Sequence, residues 1–219
     1  YVVTEAGFAT DLGAEKFFHI KCRIAGLQPA AAVIVATAKA IAYHGGFRPN
    51  GGLANLEKHI ENIRCFGLEP VVALNHFADD DPADLRRIIR FCGRQGVEAV
   101  IADHYAQGGQ GAIPLAEAVL RVAAKRRGQL RFLYPLDAPI ERKIETVARR
   151  LYGADGVDFD RVAKKDLELL ARHGFDSLPV CIAKTAMSLS DDPNRRGRPR
   201  GFRVTINELR VAAGAGFVV

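Results

Sequence analysis

PVVALNHFADDDPADLRRIIRFCGRQGVEAVIAD, Pro70 to Asp103, carries the pattern that decides the fold. Pro70 to Leu74 is a continuous apolar run, as expected of a strand buried on both faces. Asp79-Asp80-Asp81 then offers an N-cap and favourable charge to a helix predicted over Pro82 to Cys92. Val97 to Asp103 returns to a second apolar strand, and strand, helix and strand in that order make a βαβ unit with parallel strands. Upstream, Ala32 to Thr37 (AVIVAT) reads as a further buried strand. Between the two, Leu53 to Phe66 places Leu53, Leu56, Ile60 and Ile63 at helical spacing, with Gly67 as its C-terminal stop. Downstream a third helix is predicted from about Ile113 to Arg127. The alternation predicts an α/β fold built on a mainly parallel sheet.

Beyond Tyr134-Pro135 the pattern shifts to two charged helices, Ile140 to Leu151 and Val162 to His173. The glycine-containing turn Tyr152 to Val157 separates them. That turn is the expected boundary between an α/β core portion, 1–151, and a smaller C-terminal α/β region, 152–219. The latter holds a predicted strand at Val180 to Ala183, a polar loop, and a strand region from Phe202 to Val219 broken by Gly214 and Gly216. Tyr1-Val2-Val3 and Phe217-Val218-Val219 are both strand-like and no initiator Met is present, so both ends are expected to have been cut from a longer protein.

With 219 residues, 48% of them apolar, the chain can bury a substantial core. No apolar run approaches the ~20 residues needed to cross a bilayer, and a soluble, cytoplasmic protein is expected. Cys22, Cys65, Cys92 and Cys181 lie singly in apolar surroundings without metal-ligand or disulfide spacing. The histidines show no ligand-like spacing either. A net charge of +6 favours anionic partners.

Three loops follow predicted strands and hold residues suited to ligands. Asn75-His76-Phe77 follows Pro70 to Leu74, and Phe77 can stack on a planar ligand or cap the core. Asp103 to Gly111 (DHYAQGGQG) precedes a helix, where glycines allow close backbone approach and free N–H groups favour an anion. Pro179 to Gly201 (PVCIAKTAMSLSDDPNRRGRPRG) changes abruptly from apolar to polar. There Lys184 suits phosphate as a point charge, Thr185, Ser188 and Ser190 offer hydroxyls, and Asp191 and Asp192 can orient a ribose, approach a metal, or cap a turn. Glu5 can hold magnesium through water or cap the following turn. Within Arg195 to Arg200, the Arg-Gly-Arg-Pro core is like that of minor-groove DNA hooks. Its strand-like flanks favour a solvated or phosphate-facing loop, and nucleic acid is not the expected partner.

Taken together, these residues resemble the formate tetrahydrofolate ligase (formyltetrahydrofolate synthetase) family. The resemblance lies in TEAGFATDLGAEKFFHIKCR, NLEKHIENIRCFG, VVALNHF, YAQGGQGA, FLYPLDAPIERKIETVARRLYGADGV, LPVCIAKTAMSLSDDP, GRPRGF and AGAGFVV, in that order and across essentially the whole chain. It implies an ATP-dependent C–N ligase on a P-loop-NTPase-like α/β fold, usually a homotetramer, using magnesium and a monovalent cation, K+ or NH4+. The implied partners are tetrahydrofolate, formate and ATP, joined through formyl phosphate. By the same resemblance Phe77 and Tyr105 sandwich the pterin, with Asn75 in the folate loop. Lys184, Thr185, Ser188, Ser190 and Asp191 lie near the nucleotide.

Two positions depart from the family pattern. Ala78 stands where proline commonly follows the phenylalanine, which removes a fixed φ. Tyr105 stands where tryptophan is usual, which reduces stacking area and adds a hydroxyl. The family's phosphate-binding loop is also missing: no Gly-x-x-x-x-Gly-Lys-Ser/Thr occurs in the chain. The segment alone is therefore expected to be inactive as a ligase. Its alternative use is as a folate- or nucleotide-binding remnant.

Overall fold

The computed structural model describes residues 1–46, 51–125 and 129–219. The chain divides into two compact units, one comprising Gln28–Leu130 with Arg196–Arg198, the other Tyr1–Leu27, Arg131–Arg195 and Pro199–Val219. The Tyr152–Val157 turn lies inside the second of these.

The first unit is the parallel α/β layer that the sequence predicts. Strands β1 (Ala32–Ala36), β2 (Pro70–Asn75) and β3 (Ala99–Ala102) form one sheet in the order β1-β2-β3, all parallel. Ala36 pairs with Leu74, and Asn75 with Ala102, so the three strands end together at one edge. Val71, Val72, Ala73 and Leu74 in the central strand are fully buried. Burial of each Val or Leu side chain is worth about 1.5–3 kcal/mol, which makes β2 the anchor of this edge.

The flanking helices start where side-chain oxygens meet their free N–H groups. The Thr37 hydroxyl accepts from Ala40 N–H at the start of the Ala38–His44 helix, and the Asp81 carboxylate from Ala83 N–H before Pro82–Arg94. Helix Leu53–Cys65 packs on β1 and β2 through its Leu53, Leu56, Ile60 and Ile63 stripe. Helix Ile113–Lys125 packs on β2 and β3, and the last two positions of the predicted helix lie outside the described residues.

In the second unit, helical turns run from Ala9 to Ala25, and helices Ile140–Val147 and Arg161–Arg172 flank strand β4 (Gly156–Phe159). Strand β4 pairs in parallel with β5 (Arg203–Ile206), while β6 (Val211–Ala212) and β7 (Phe217–Val218) form a short antiparallel pair. Gly156 and Val157, expected in the turn, begin a four-residue strand that the two glycines at 153 and 156 mask in the sequence. The turn itself is made by Gly153, at φ +79°. The strand predicted at Val180–Ala183 reduces to a single parallel bridge, Val180 to Val218. Two backbone hydrogen bonds hold it, Cys181 N–H to Val218 O and Val218 N–H to Pro179 O, before the chain turns inward to bury Lys184. Tyr1, Val2 and Val3 are exposed and belong to no strand, so Glu5 does not follow one.

Ala9 has φ +61°, the one described non-glycine residue in the left-handed region. A Cβ there costs about 1–2 kcal/mol, partly offset by the smaller chain entropy of Ala. Ala9→Gly is therefore expected to raise stability by about 0.5–1 kcal/mol in urea unfolding, and an unchanged or lowered midpoint would mean the local strain is relieved elsewhere.

Candidate functional site

The carboxyl edge of the β1-β2-β3 sheet gathers three loops, the position at which open α/β sheets take their ligands. Phe77, two residues past the end of β2, is 46% exposed, and Tyr105, three past β3, is 95% exposed. Strands β2 and β3 are neighbours in the sheet, which places their exits about 5 Å apart. Neither ring is needed for the core, and both stand at the rim.

Local hydrogen bonds fix each loop. Phe77 N–H donates to Asp80 Oδ2 at 2.9 Å while Asp80 N–H donates to Phe77 O at 3.0 Å. This turn holds the loop without a proline at Ala78. Lys39 at the start of its helix lies with Nζ 5.0 Å from the centre of the Phe77 ring and bonds both oxygens of Asp79 at 2.8 and 2.9 Å. That bond draws the Asp79 carboxyl below its usual range. One face of Phe77 thus carries a cation.

The second loop closes on itself, with Asp103 N–H donating to Gly111 O at 3.1 Å. A Cβ on Gly111 would lie 2.2 Å from Asp103 O, so only glycine permits this closure. Gly108 sits at φ +57°, ψ −142°, a conformation essentially reserved for glycine. The glycines therefore shape the turn that presents His104 and Tyr105 on the single helical turn His104–Gln107. His76 Nδ1 lies 3.3 Å from Asp103 Oδ1, and Gln107 donates to the other oxygen at 2.5 Å. The Asp103 carboxyl is held below the usual range, first by Gln107 and then by His76.

In the second unit Lys184 and Asp11 form an ion pair at 2.8 Å, each side chain only 3% exposed. The same ammonium donates to Thr185 O at 3.1 Å and Ser188 O at 2.5 Å. Three donors thus meet three acceptors, with the Tyr152 ring 4.9 Å away. Tyr152 is fully buried, and burial pushes its phenol well above its usual range. Ser188 Oγ donates to Arg195 O, Ser190 Oγ bonds both Ser188 Oγ and the backbone of Asp192, and both residues are buried. Thr185 Oγ1 accepts from Met187 N–H, and Asp191 Oδ2 from Thr205 N–H. Beside this cluster His19 accepts from Leu133 N–H at Nε2, so its proton sits on Nδ1 and is donated to Glu15 at 2.6 Å.

The sequence profile of the family "Formate--tetrahydrofolate ligase" matches residues 1–219. The chain belongs to the formate–tetrahydrofolate ligase family. A curated formate–tetrahydrofolate ligase from Thermus thermophilus is 48% identical over 227 residues, an alignment covering 100% of this chain and 42% of that relative. The chain thus spans less than half the length of the ligase it matches.

Against the family's expected residues, the carboxyl sheet edge brings Asn75, Phe77 and Tyr105 into one unit, and the Lys184 loop gathers Thr185, Ser188, Ser190 and Asp191 in the other. Glu5 is exposed, and among the described residues no group of three or more His, Cys, Asp or Glu side chains could hold a metal ion. Among them, too, no helix is long and apolar enough to cross a membrane.

The Arg-Gly-Arg-Pro segment is not a free hook. Arg198 bonds Glu57 at 2.9 Å and both oxygens of Glu61 at 2.9 and 2.7 Å, while Asn55 donates to Gly197 O and Arg196 stacks on Tyr43. The carboxylates that engage Arg198 come from its own unit, which removes the guanidinium that a minor groove would need. Sequence reasoning missed Asp11 and Asp103 as organising carboxylates. Asp11 meets Lys184 only through the fold, whereas Asp103 ends a strand opposite His76, and strand-end pairing of the two loops was the signal available.

Proposed function

We propose that the intact protein ligates formate to tetrahydrofolate with ATP, and that this chain supplies the pterin clamp. Formate oxygen takes the γ-phosphoryl group of ATP, giving formyl phosphate and ADP. N10 of tetrahydrofolate then attacks the formyl carbon, phosphate leaves with the C–O bonding pair, and N10 loses its proton, giving 10-formyltetrahydrofolate. The sheet β1-β2-β3 is read as part of a P-loop-NTPase-like layer. The exposure of Phe77 and Tyr105 on adjoining loops at one sheet edge carries this reading. Rings so placed offer faces to a planar heterocycle, and Asn75, half-buried at the end of β2, offers the amide donor and acceptor that a pterin edge requires. Because Lys39 covers one face of Phe77, the pterin takes the other.

On the nucleotide side, Lys184 acts indirectly. Its three donors are occupied by Asp11 and two loop carbonyls, so a phosphate contact would require breaking a buried ion pair. Its proposed role is to hold the turn carrying Ser188, Ser190 and Asp191 beside the nucleotide. The phosphates need a backbone cradle and lysine of the P-loop type, and residues 1–219 contain no such motif. The isolated 219-residue chain is accordingly expected to form no 10-formyltetrahydrofolate from ATP, formate and tetrahydrofolate, while the intact protein does so. Turnover by the isolated chain would overturn the assignment of the phosphate cradle to residues elsewhere, and absence of turnover by the intact protein would overturn the ligase reading.

A further inference from the structure

The Phe77 turn is internally closed by Asp80, and the Tyr105 turn by Asp103 and Gly111. What relates one turn to the other is the strand edge between them. There the sheet ladder makes its last bond, His76 N–H to Ala102 O at 3.1 Å. Immediately beyond it, the His76 ring reaches across to the Asp103 carboxylate, whose second oxygen holds Gln107 at the far end of the Tyr105 turn. One carboxylate therefore grips both loops. His76 adjoins Phe77, Asp103 lies two residues before Tyr105, and a shift of either loop would stretch this link before it moved the buried strands.

We propose that His76 and Asp103 act as a positioning pin that sets the gap between Phe77 and Tyr105, and so the affinity for tetrahydrofolate; this rests on the clamp reading above. A stacked ring tolerates little slack, because a radial gap of 0.5–1 Å already forfeits about a quarter to a half of the contact energy. At 3.3 Å, with the two side chains 35% and 21% exposed, the link is long and partly solvated, enough to bias where the loops sit and too weak to hold the fold. His76 does not touch the reacting atoms in this role; its effect passes through Phe77.

The test is made in the intact protein with tetrahydrofolate and ATP titrated separately. His76→Ala is expected to weaken tetrahydrofolate binding about tenfold, leave ATP affinity and the unfolding midpoint unchanged, and raise KM for tetrahydrofolate by more than it lowers kcat. His76→Asn, whose amide nitrogen stands near the place of Nδ1, should restore affinity to within about threefold, since it can still donate to Asp103. Equal loss of tetrahydrofolate and ATP affinity, or a lowered midpoint without rescue by Asn, would make the pair merely structural and overturn the pin. Tetrahydrofolate binding that responds to loss of the two aromatic rings but not to His76→Ala overturns the pin alone. Indifference to both changes overturns the clamp and the pin with it.

Discussion

Asp11→Ala is expected to destabilise the unit that contains Lys184 by about 3–5 kcal/mol, the cost of leaving a buried charge without its partner. Both side chains are 3% exposed and 2.8 Å apart, so water cannot replace the lost carboxylate without opening the core around Tyr152. This sets the pair apart from surface pairs such as Lys39–Asp79, where water and salt screen the charges. Lys184→Met alone should cost similarly, because it strands Asp11 and two carbonyls. The combined change Asp11→Leu with Lys184→Met should recover much of the stability, since an apolar pair of similar volume often matches a buried ion pair. The double variant should nevertheless lose ATP affinity, because nothing then ties the carbonyls of Thr185 and Ser188 together. Urea unfolding of the two single variants and the double variant decides the matter. A single-variant loss below about 1 kcal/mol would show that the pair is solvated and the loop is held by other means. Full ATP affinity in the double variant would show that the turn forms without Lys184.

The parts of the fold that sequence reading reached are those with unbroken local patterns. The apolar runs at Ala32–Ala36 and Pro70–Asn75 and the Leu53–Ile63 stripe carry their periodicity in a few adjacent residues, and tertiary context does not compete with them. The parts it missed depend on pairing. Gly156–Phe159 is a strand only because Arg203–Ile206 lies beside it, and its glycine and two aspartate neighbours read as turn when taken alone. Val180–Ala183 looks like a strand because it is apolar, yet only Val180 pairs, in a single parallel bridge to Val218 at the edge of β7. The same division runs through the candidate sites. Phe77 and Tyr105 are legible as aromatics in polar strand-end loops; for Phe77 capping of the core is the competing reading, and its 46% exposure decides against it. Lys184 was legible as an unusual charge after an apolar run, but the pattern suggested a phosphate ligand. Its partner Asp11 lies at the other end of the chain and leaves no local trace.

Replacing Phe77 and Tyr105 together by Ala should weaken tetrahydrofolate binding by about 100- to 1000-fold in the intact protein while leaving the fold in place. Stacking of a flat heterocycle on one aromatic side chain contributes about 1–3 kcal/mol by alanine substitution, and two faces together reach about 3–4 kcal/mol, with each 1.4 kcal/mol a factor of ten. Tyr105, 95% exposed, can be removed within about 0.5 kcal/mol, while Phe77, 46% exposed and packed under Lys39, should cost about 1 kcal/mol of stability and leave the fold in place. The asymmetry between the two positions sharpens the expectation. Tyr105, almost wholly free, contributes a ring face alone, so Tyr105→Phe should bind within about twofold of the unaltered protein and Tyr105→Trp should bind more tightly through its larger face. Phe77→Ala removes in addition the surface beneath Lys39, whose ammonium then keeps only Asp79, and it should be the more costly single change. Pterin fluorescence titration at fixed ionic strength separates these cases. Affinity that changes by less than about threefold in the double variant would sink the clamp. A loss at Tyr105→Phe as large as at Tyr105→Ala would place the hydroxyl, rather than the ring, against the folate.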